Sequence, residues 1–180
     1  MAITASDIQY RFSVSAAAGD TTAGTAAGSL GDQCSTTQIP DATLHALFDK
    51  ITGPENAASE AEYRCIFVYN SHATLTWENV VVWLSAETAG GAAAAIALDD
   101  IAPVDIDSAS AQADSIADEN TAPGAGVGAF SSPTTKGTGL VIGDIPPDFC
   151  KAIWIRRTAA NTAAVNNDGV TIRCEGDTAA

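Results

Sequence analysis

With 180 residues the chain has room for one domain whose core needs neither a metal nor a disulfide to hold it. Its hydrophobic fraction is 46%, but much of this is alanine, so the core has to come from Val, Ile, Leu and the few aromatics. Lys and Arg number 8 against 22 Asp and Glu, and the net charge of −14 argues against direct binding to nucleic acid or to an anionic membrane surface.

The first segment, "MAITASDIQYRF", has neither the basic start nor the apolar stretch of a secretory signal, and no apolar run reaches membrane-spanning length. Synthesis in a cytoplasm is expected. "DIQYRFSV" (7–14) reads as a short strand. The stretch 15–40 is rich in Gly, Ala, Ser and Thr and poor in bulk. It reads as an extended arm that orders by lying on the rest of the fold or on a neighbouring chain. Strand and arm (1–40) are expected to precede a single β-sandwich domain (41–180). Early in that domain Leu44, Leu47 and Phe48 have helical spacing over one turn, which Gly53-Pro54 breaks.

"EYRCIFVYNSHATLTWENVVVWL" (62–84) reads as a hairpin. Tyr63, Cys65, Phe67 and Tyr69 share one face and Arg64, Ile66 and Val68 the other, with Asn70-Ser71-His72 as the turn. "VVVWL" (80–84) is apolar on both faces, which predicts a central strand. "AIALDDIAPVDID" (95–107) predicts another strand and a Pro-marked bend. Residues 108–139 are a second low-bulk excursion, in which "ADSIADEN" has the composition of a short helix. Strands follow in "GLVIGDIPPDFC" and "KAIWIRRTA" (151–159). Asn167-Asp168-Gly169 is hairpin-turn chemistry ahead of "VTIRC", where Val170, Ile172 and Cys174 share a face. Many short strands without a long helix predict an all-β fold, an antiparallel β-sandwich of jelly-roll or Ig-like type with a long low-bulk arm and loops.

The chemistry-bearing residues form no familiar constellation. Cys34, Cys65, Cys150 and Cys174 are widely spaced without a CxxC pair, so buried reduced thiols are expected rather than zinc ligands; whether they pair as disulfides is open. His45 and His72 read as surface or turn residues. Asp99, Asp100, Asp105 and Asp107 lie close together, with a calcium site as the alternative to a hydrated acidic loop. Glu55, Glu60 and Glu62 have no separation fixed by sequence, as a glycosidase pair needs. "GAGVG" (124–128) lacks the strand and helix of a nucleotide loop, and there is no GxSxG elbow. No catalytic, cofactor or metal site is assigned, and an enzyme is not expected. Trp77, Trp83 and Trp154 would form a sugar-stacking platform only if exposed; in strands they read as core or interface. Trp154 beside Arg156 and Arg157 is the most interface-like group in this acidic chain.

Three strings carry a family likeness: "SLGDQCSTTQI" (29–39), "LFDKITGPENAASEAEYRCIFVYN" (47–70) and "IWIRRTAANTAAVNNDG" (153–169). Their order resembles a group of tailed-bacteriophage virion proteins, with Asp32 standing where that group has a second glycine after Ser-Leu-Gly. The resemblance implies a structural component of the virion, assembled in the host cytoplasm. The expected role is that of a capsid cement or decoration protein that binds the major capsid protein and neighbouring copies of itself, as a homo-oligomer in the particle. Alternatives are a neck, tail or baseplate protein, or a carbohydrate-binding module for host attachment. The expected contacts are the arm, with Leu30 and Ile39, and the strand carrying Trp154, Arg156 and Arg157. On this reading the arm is separable, and deleting residues 2–36 leaves the sandwich folded.

Overall fold

The structure, a computed structural model, describes residues 2–15 and 21–178. Its strands are β1 (Ile8–Val14), β2 (Gln33–Gln38), β3 (Ala61–Asn70), β4 (Trp77–Glu87), β5 (Ala93–Leu98), β6 (Val104–Asp105), β7 (Leu140–Ile145), β8 (Phe149–Thr158) and β9 (Val170–Thr178). They form two antiparallel sheets. The large sheet runs β2-β1-β3-β8-β5, with the short β6 pairing β8 beyond the end of β5; the small sheet runs β7-β4-β9. The all-β, two-sheet architecture is that of a β-sandwich.

Strands β3 and β8 are the spine. They pair from Ala61–Thr158 to Tyr69–Cys150 without a shift in register, and both are buried over most of their length. Period-2 alternation sends Ile66, Val68, Ile153 and Ile155 to one face. There they meet Val80, Val82 and Leu84 of β4 and Ile145 of β7. Cys65, Phe67, Tyr69, Ala152 and Trp154 go to the other face. The small sheet does not reach that face. It is covered by residues 106–133, through Ile106, Ala113, Ile116, Val127 and Phe130.

The second low-bulk excursion is thus a third layer lying on the chain's own sheet. The described part of the arm behaves in the same way. β2 is the edge strand of the large sheet, and the Thr36 N–H donates to the Thr22 carbonyl at 2.9 Å; residues 16–20 lie outside the described residues. The two segments are also stitched together. Asp32 N–H donates to Asp114 O (3.2 Å), Ala113 N–H to Asp32 O (2.9 Å) and Ile116 N–H to Leu30 O (2.9 Å). Gly31 lies at the closest approach, with φ +100° and no room for a Cβ, which would fall 1.8 Å from the Asp114 carbonyl oxygen. Asp32 supplies the turn despite not being glycine, at φ 75°, a region Asp enters more readily than most residues. The expectation of a separable arm is corrected: residues 2–36 include all of β1, which lies between β2 and β3.

The two expected hairpins are corrected as well. β3 and β4 belong to different sheets, as do β8 and β9. The edges of β3 are taken by β1 and β8. The link 71–76 is shaped by side chains: Asn70 Nδ2 donates to the Leu75 and Ile145 carbonyls, both at 2.9 Å, and His72 Nδ1 accepts from the Thr74 and Leu75 N–H groups. These bonds lift the chain to the second layer instead of folding it back. In the other link Asn167 takes φ 55° and the Asp168 carboxylate accepts from Ala92 N–H at 2.7 Å, so the turn chemistry serves a crossing between sheets. The prediction of a central strand at 80–84 holds: β4 lies between β7 and β9. Asn79, at φ 53° between the register points Glu78 and Val81, forms a bulge that brings Trp77 and Val80 to the same core.

No helix forms at 44–48 or in "ADSIADEN". Among the described residues an α-helix forms instead at α1 (Gly53–Ala58). Gly53-Pro54 begins it rather than breaking one, because proline lacks only an N–H that the first turn leaves unpaired anyway. Thr52 caps it, with Glu55 completing the reciprocal box.

Candidate docking site

The residues expected to dock are placed unequally. Trp154 is 0% exposed, and its Nε1 donates to Asp99 Oδ2 at 3.0 Å. It is core, and its expected role in an interface is corrected. The same carboxylate accepts from Asp114 N–H at 2.8 Å, and its other oxygen from Ile101 N–H at 3.1 Å. Asp99 therefore pins the covering layer to the sheet. Lys151 lies beside it, with Nζ donating to Asp99 O at 2.6 Å and to Ile101 O. Burial pushes its ammonium below the usual lysine range, offset in part by the Asp99 and Asp100 carboxylates.

Arg157 is held within the fold. Its Nε donates to Glu62 Oε2 at 2.6 Å, its terminal nitrogens reach Asp49 and Glu62, and its guanidinium lies 4.7 Å from the centre of the Phe48 ring. Burial pushes the Glu62 carboxyl up, and Arg157 pulls it part of the way back. Arg64, only 3% exposed, pairs with Glu119 and faces the same Phe48 ring at 5.5 Å. Arg156 stacks over Phe130 at 5.3 Å. Leu30 and Ile39 are half-buried: Leu30 is tied to Ile116 through its carbonyl, and Ile39 donates its N–H to Tyr10 O at 2.8 Å and packs against the inter-sheet core.

The other candidates are also placed. Trp77 and Trp83 are 6% and 5% exposed, so with Trp154 buried no tryptophan platform faces a sugar. Asp105 Oδ1 accepts from Asp107 N–H at 2.9 Å in a local turn. Among the described residues no group of three or more His, Cys, Asp or Glu is placed to hold a metal ion. Glu60 accepts from Asn120 and Glu55 belongs to its helix cap. The four cysteines are free thiols. The neighbouring Cys34 thiol, together with burial, holds Cys150 well above the usual thiol range, and burial alone does most of this for Cys65. Cys174 is pushed up to about 12 by burial. Such thiols are poor nucleophiles.

What remains open is an edge that the sequence reading passed over. Five strands lie abreast in the large sheet against three in the small one, and β9 ends the small sheet on the side of β1. Its inward residues Val170, Ile172 and Cys174 stay half-buried, as do Ile8, Tyr10 and Ile39 on the facing sheet. Two cavities open along this strand. One, of about 720 Å³, lies at Val170 between segments 44–53 and 160–169; the other, of about 270 Å³, lies at Cys174 and Gly176 against Ile3, Ile8 and Tyr10. The Cys174 N–H, which β4 leaves free, donates to the Tyr10 hydroxyl at 3.1 Å, and burial beside Cys174 pushes the Tyr10 phenol up. The opposite edge, β7, carries Val141 at 71% exposure. The signal was present in "VTIRCEGDT", a strand with small and apolar residues inward and charges outward. Comparison with family models, with curated proteins and with solved structures finds no match for this chain.

Proposed function

We propose that this chain is a non-enzymatic structural protein of a bacteriophage particle, a cement or decoration protein that binds the major capsid protein and reinforces the shell. The observation that carries the binding role is the unbalanced sandwich. An opening of about 720 Å³ lies at the Val170 end of β9, while the buried Asp99, Lys151, Glu62 and Arg64 and the half-buried Arg157 are engaged in holding the fold. The assignment to a particle rests on the resemblance of the three strings at 29–39, 47–70 and 153–169. An acidic, patch-poor exterior suits a protein displayed in many copies, where weak contacts add over a symmetric lattice.

Copy number in purified particles tests the reading. A shell role predicts a copy number on the order of hundreds per particle, matching the repeated capsid sites. A copy number of roughly a dozen moves the protein to the neck, tail or baseplate, and absence from washed particles removes the reading altogether.

A further inference from the structure

We propose that the free edge of β9 is a strand-acceptor site for an extended segment of a different protein, a segment that alternates apolar side chains and carries basic residues at one end. The inference rests on the reading of the chain as a binding module, and not on the particle.

β9 is nine residues long and, among the described residues, is paired on one side only, by β4. An added strand finds the backbone groups of alternate residues unclaimed by β4, Cys174 among them. It also finds a place for its own inward side chains. The large sheet is two strands wider, and Ile8, Tyr10 and Ile39 on its facing side are left half-covered. One cavity lies at Val170 and the other at Cys174–Gly176, so both ends of the strand have open space beside them. A fourth strand in the small sheet closes that space.

Tyr10 is the present occupant of the middle of that edge. Its hydroxyl accepts the Cys174 N–H that an entering carbonyl needs. Side-chain acceptance keeps this N–H satisfied in the empty state, as a buried backbone donor requires, without supplying a strand. Entry replaces one acceptor by another.

Charge selects the occupant. At the Cys174–Gly176 end the elements carry four carboxylates, Asp7, Glu78, Glu175 and Asp177, against three cations, Lys136, Arg173 and Arg11, of which Arg11 lies over the Tyr69 ring on the other face of the large sheet. Glu78 and Asp177 stand directly opposite each other in the β4–β9 ladder as a like-charge pair, with the Asn79 amide donating to Asp177 at 3.2 Å. A basic residue at the end of an entering segment relieves their repulsion. A second copy of this chain, at −14, brings more of the same charge and is disfavoured.

The test uses the full chain and a labelled nine-residue peptide alternating Val and Thr, with two lysines at one end, and its twin with two glutamates. Fluorescence anisotropy at low salt is expected to show the lysine peptide binding about tenfold tighter or more. Amide hydrogen exchange is expected to show new protection at Ile172 and Gly176, with Cys174, already bonded to Tyr10, staying protected. Tyr10→Phe, which removes the competing hydroxyl and keeps the ring, is expected to tighten binding severalfold, roughly the worth of one hydrogen bond. Ile172→Lys is expected to abolish it, with circular dichroism showing the fold retained; should that variant unfold, Tyr10→Phe carries the test alone. Absence of lysine-peptide binding, binding without new protection at Ile172 and Gly176, equal affinity for both peptides, or a Tyr10→Phe chain that binds no tighter would each overturn the proposal. Dimerisation of the chain through β9 without peptide would overturn it in favour of a second copy. If the peptide results hold but the chain is missing from washed particles, the particle reading falls and the acceptor edge stands.

Discussion

The two faces of the large sheet are covered by different means. On one, the small sheet supplies bulk: Val80, Val82, Leu84 and Ile145 are at most 3% exposed against Ile66, Val68, Ile153 and Ile155. On the other, residues 106–133 supply little bulk and many hydrogen bonds. Gln112 Nε2 donates to the Asp105 and Ile106 carbonyls, each at 3.0 Å, and its Oε1 accepts from Cys34 N–H at 2.7 Å. Asp99 holds Asp114 and Trp154, and the Tyr63 N–H donates to Glu119 O at 2.7 Å. A segment too poor in large side chains to fold by its own burial becomes a layer because a few buried polar groups fix its backbone onto a sheet that is already there.

The sharpest break of the comparison removes the residue that serves both means. Trp154→Ala deletes the largest fully buried side chain and the donor to Asp99. It is expected to cost about 3–5 kcal/mol in urea unfolding, a large share of the roughly 5–15 kcal/mol of an ordinary domain. Next is Asp99→Ala, which strands three donors, Trp154 Nε1, Asp114 N–H and Ile101 N–H. A loss of about 3 kcal/mol is expected, and limited proteolysis should cut first within 100–130, because the polar pins fail before the sheets part. Val82→Ala acts on the other cover. It should lower stability by about 2 kcal/mol as a global effect, with no early cut in the excursion. A cut pattern shared by Asp99→Ala and Val82→Ala would show that the covers are not held differently.

The smallest effect is in pH. Burial raises the carboxyls of Glu62, Asp32 and Asp114, so the folded chain takes up protons before the unfolded one as pH falls from neutrality toward the ordinary carboxylate range, and stability rises. Asp7 and Glu55 are lowered, by the Thr4 side-chain bond and by the Thr52 backbone bond respectively, so below that range the unfolded chain takes up protons first and stability falls. The melting temperature is expected to rise as pH falls from neutrality and to turn over within the ordinary carboxylate range. A curve still rising through neutrality would contradict the raised carboxyls.

How much was legible follows from the same contrast. β3, β8 and β9 announced themselves by period-2 alternation, and β4 by a β-branched run apolar on both faces. β2, "QCSTTQ", did not, because an edge strand of Cys, Ser and Thr reads like a linker. The sheet changes after β3 and β8 were hidden, since Asn70 and Asp168 fix them through bonds to Ile145 and Ala92, far along the chain. Trp154 and Arg157 looked like a docking pair because their partners, Asp99, Glu62 and Asp49, are remote in sequence. α1 was readable in principle: Thr52-Gly-Pro-Glu55 is a capping box, masked by the habit of taking Gly-Pro as a stop.

Amide hydrogen exchange on the isolated full chain tests the central claim, that the low-bulk excursion is a layer of this fold. The Ala113, Asp114, Ile116, Gly128 and Ser131 amides, all donors to the chain's own groups, are expected to be protected in the range of β3 and β8. Exchange of those amides at the rate of an open loop, with β3 and β8 still protected, would contradict it.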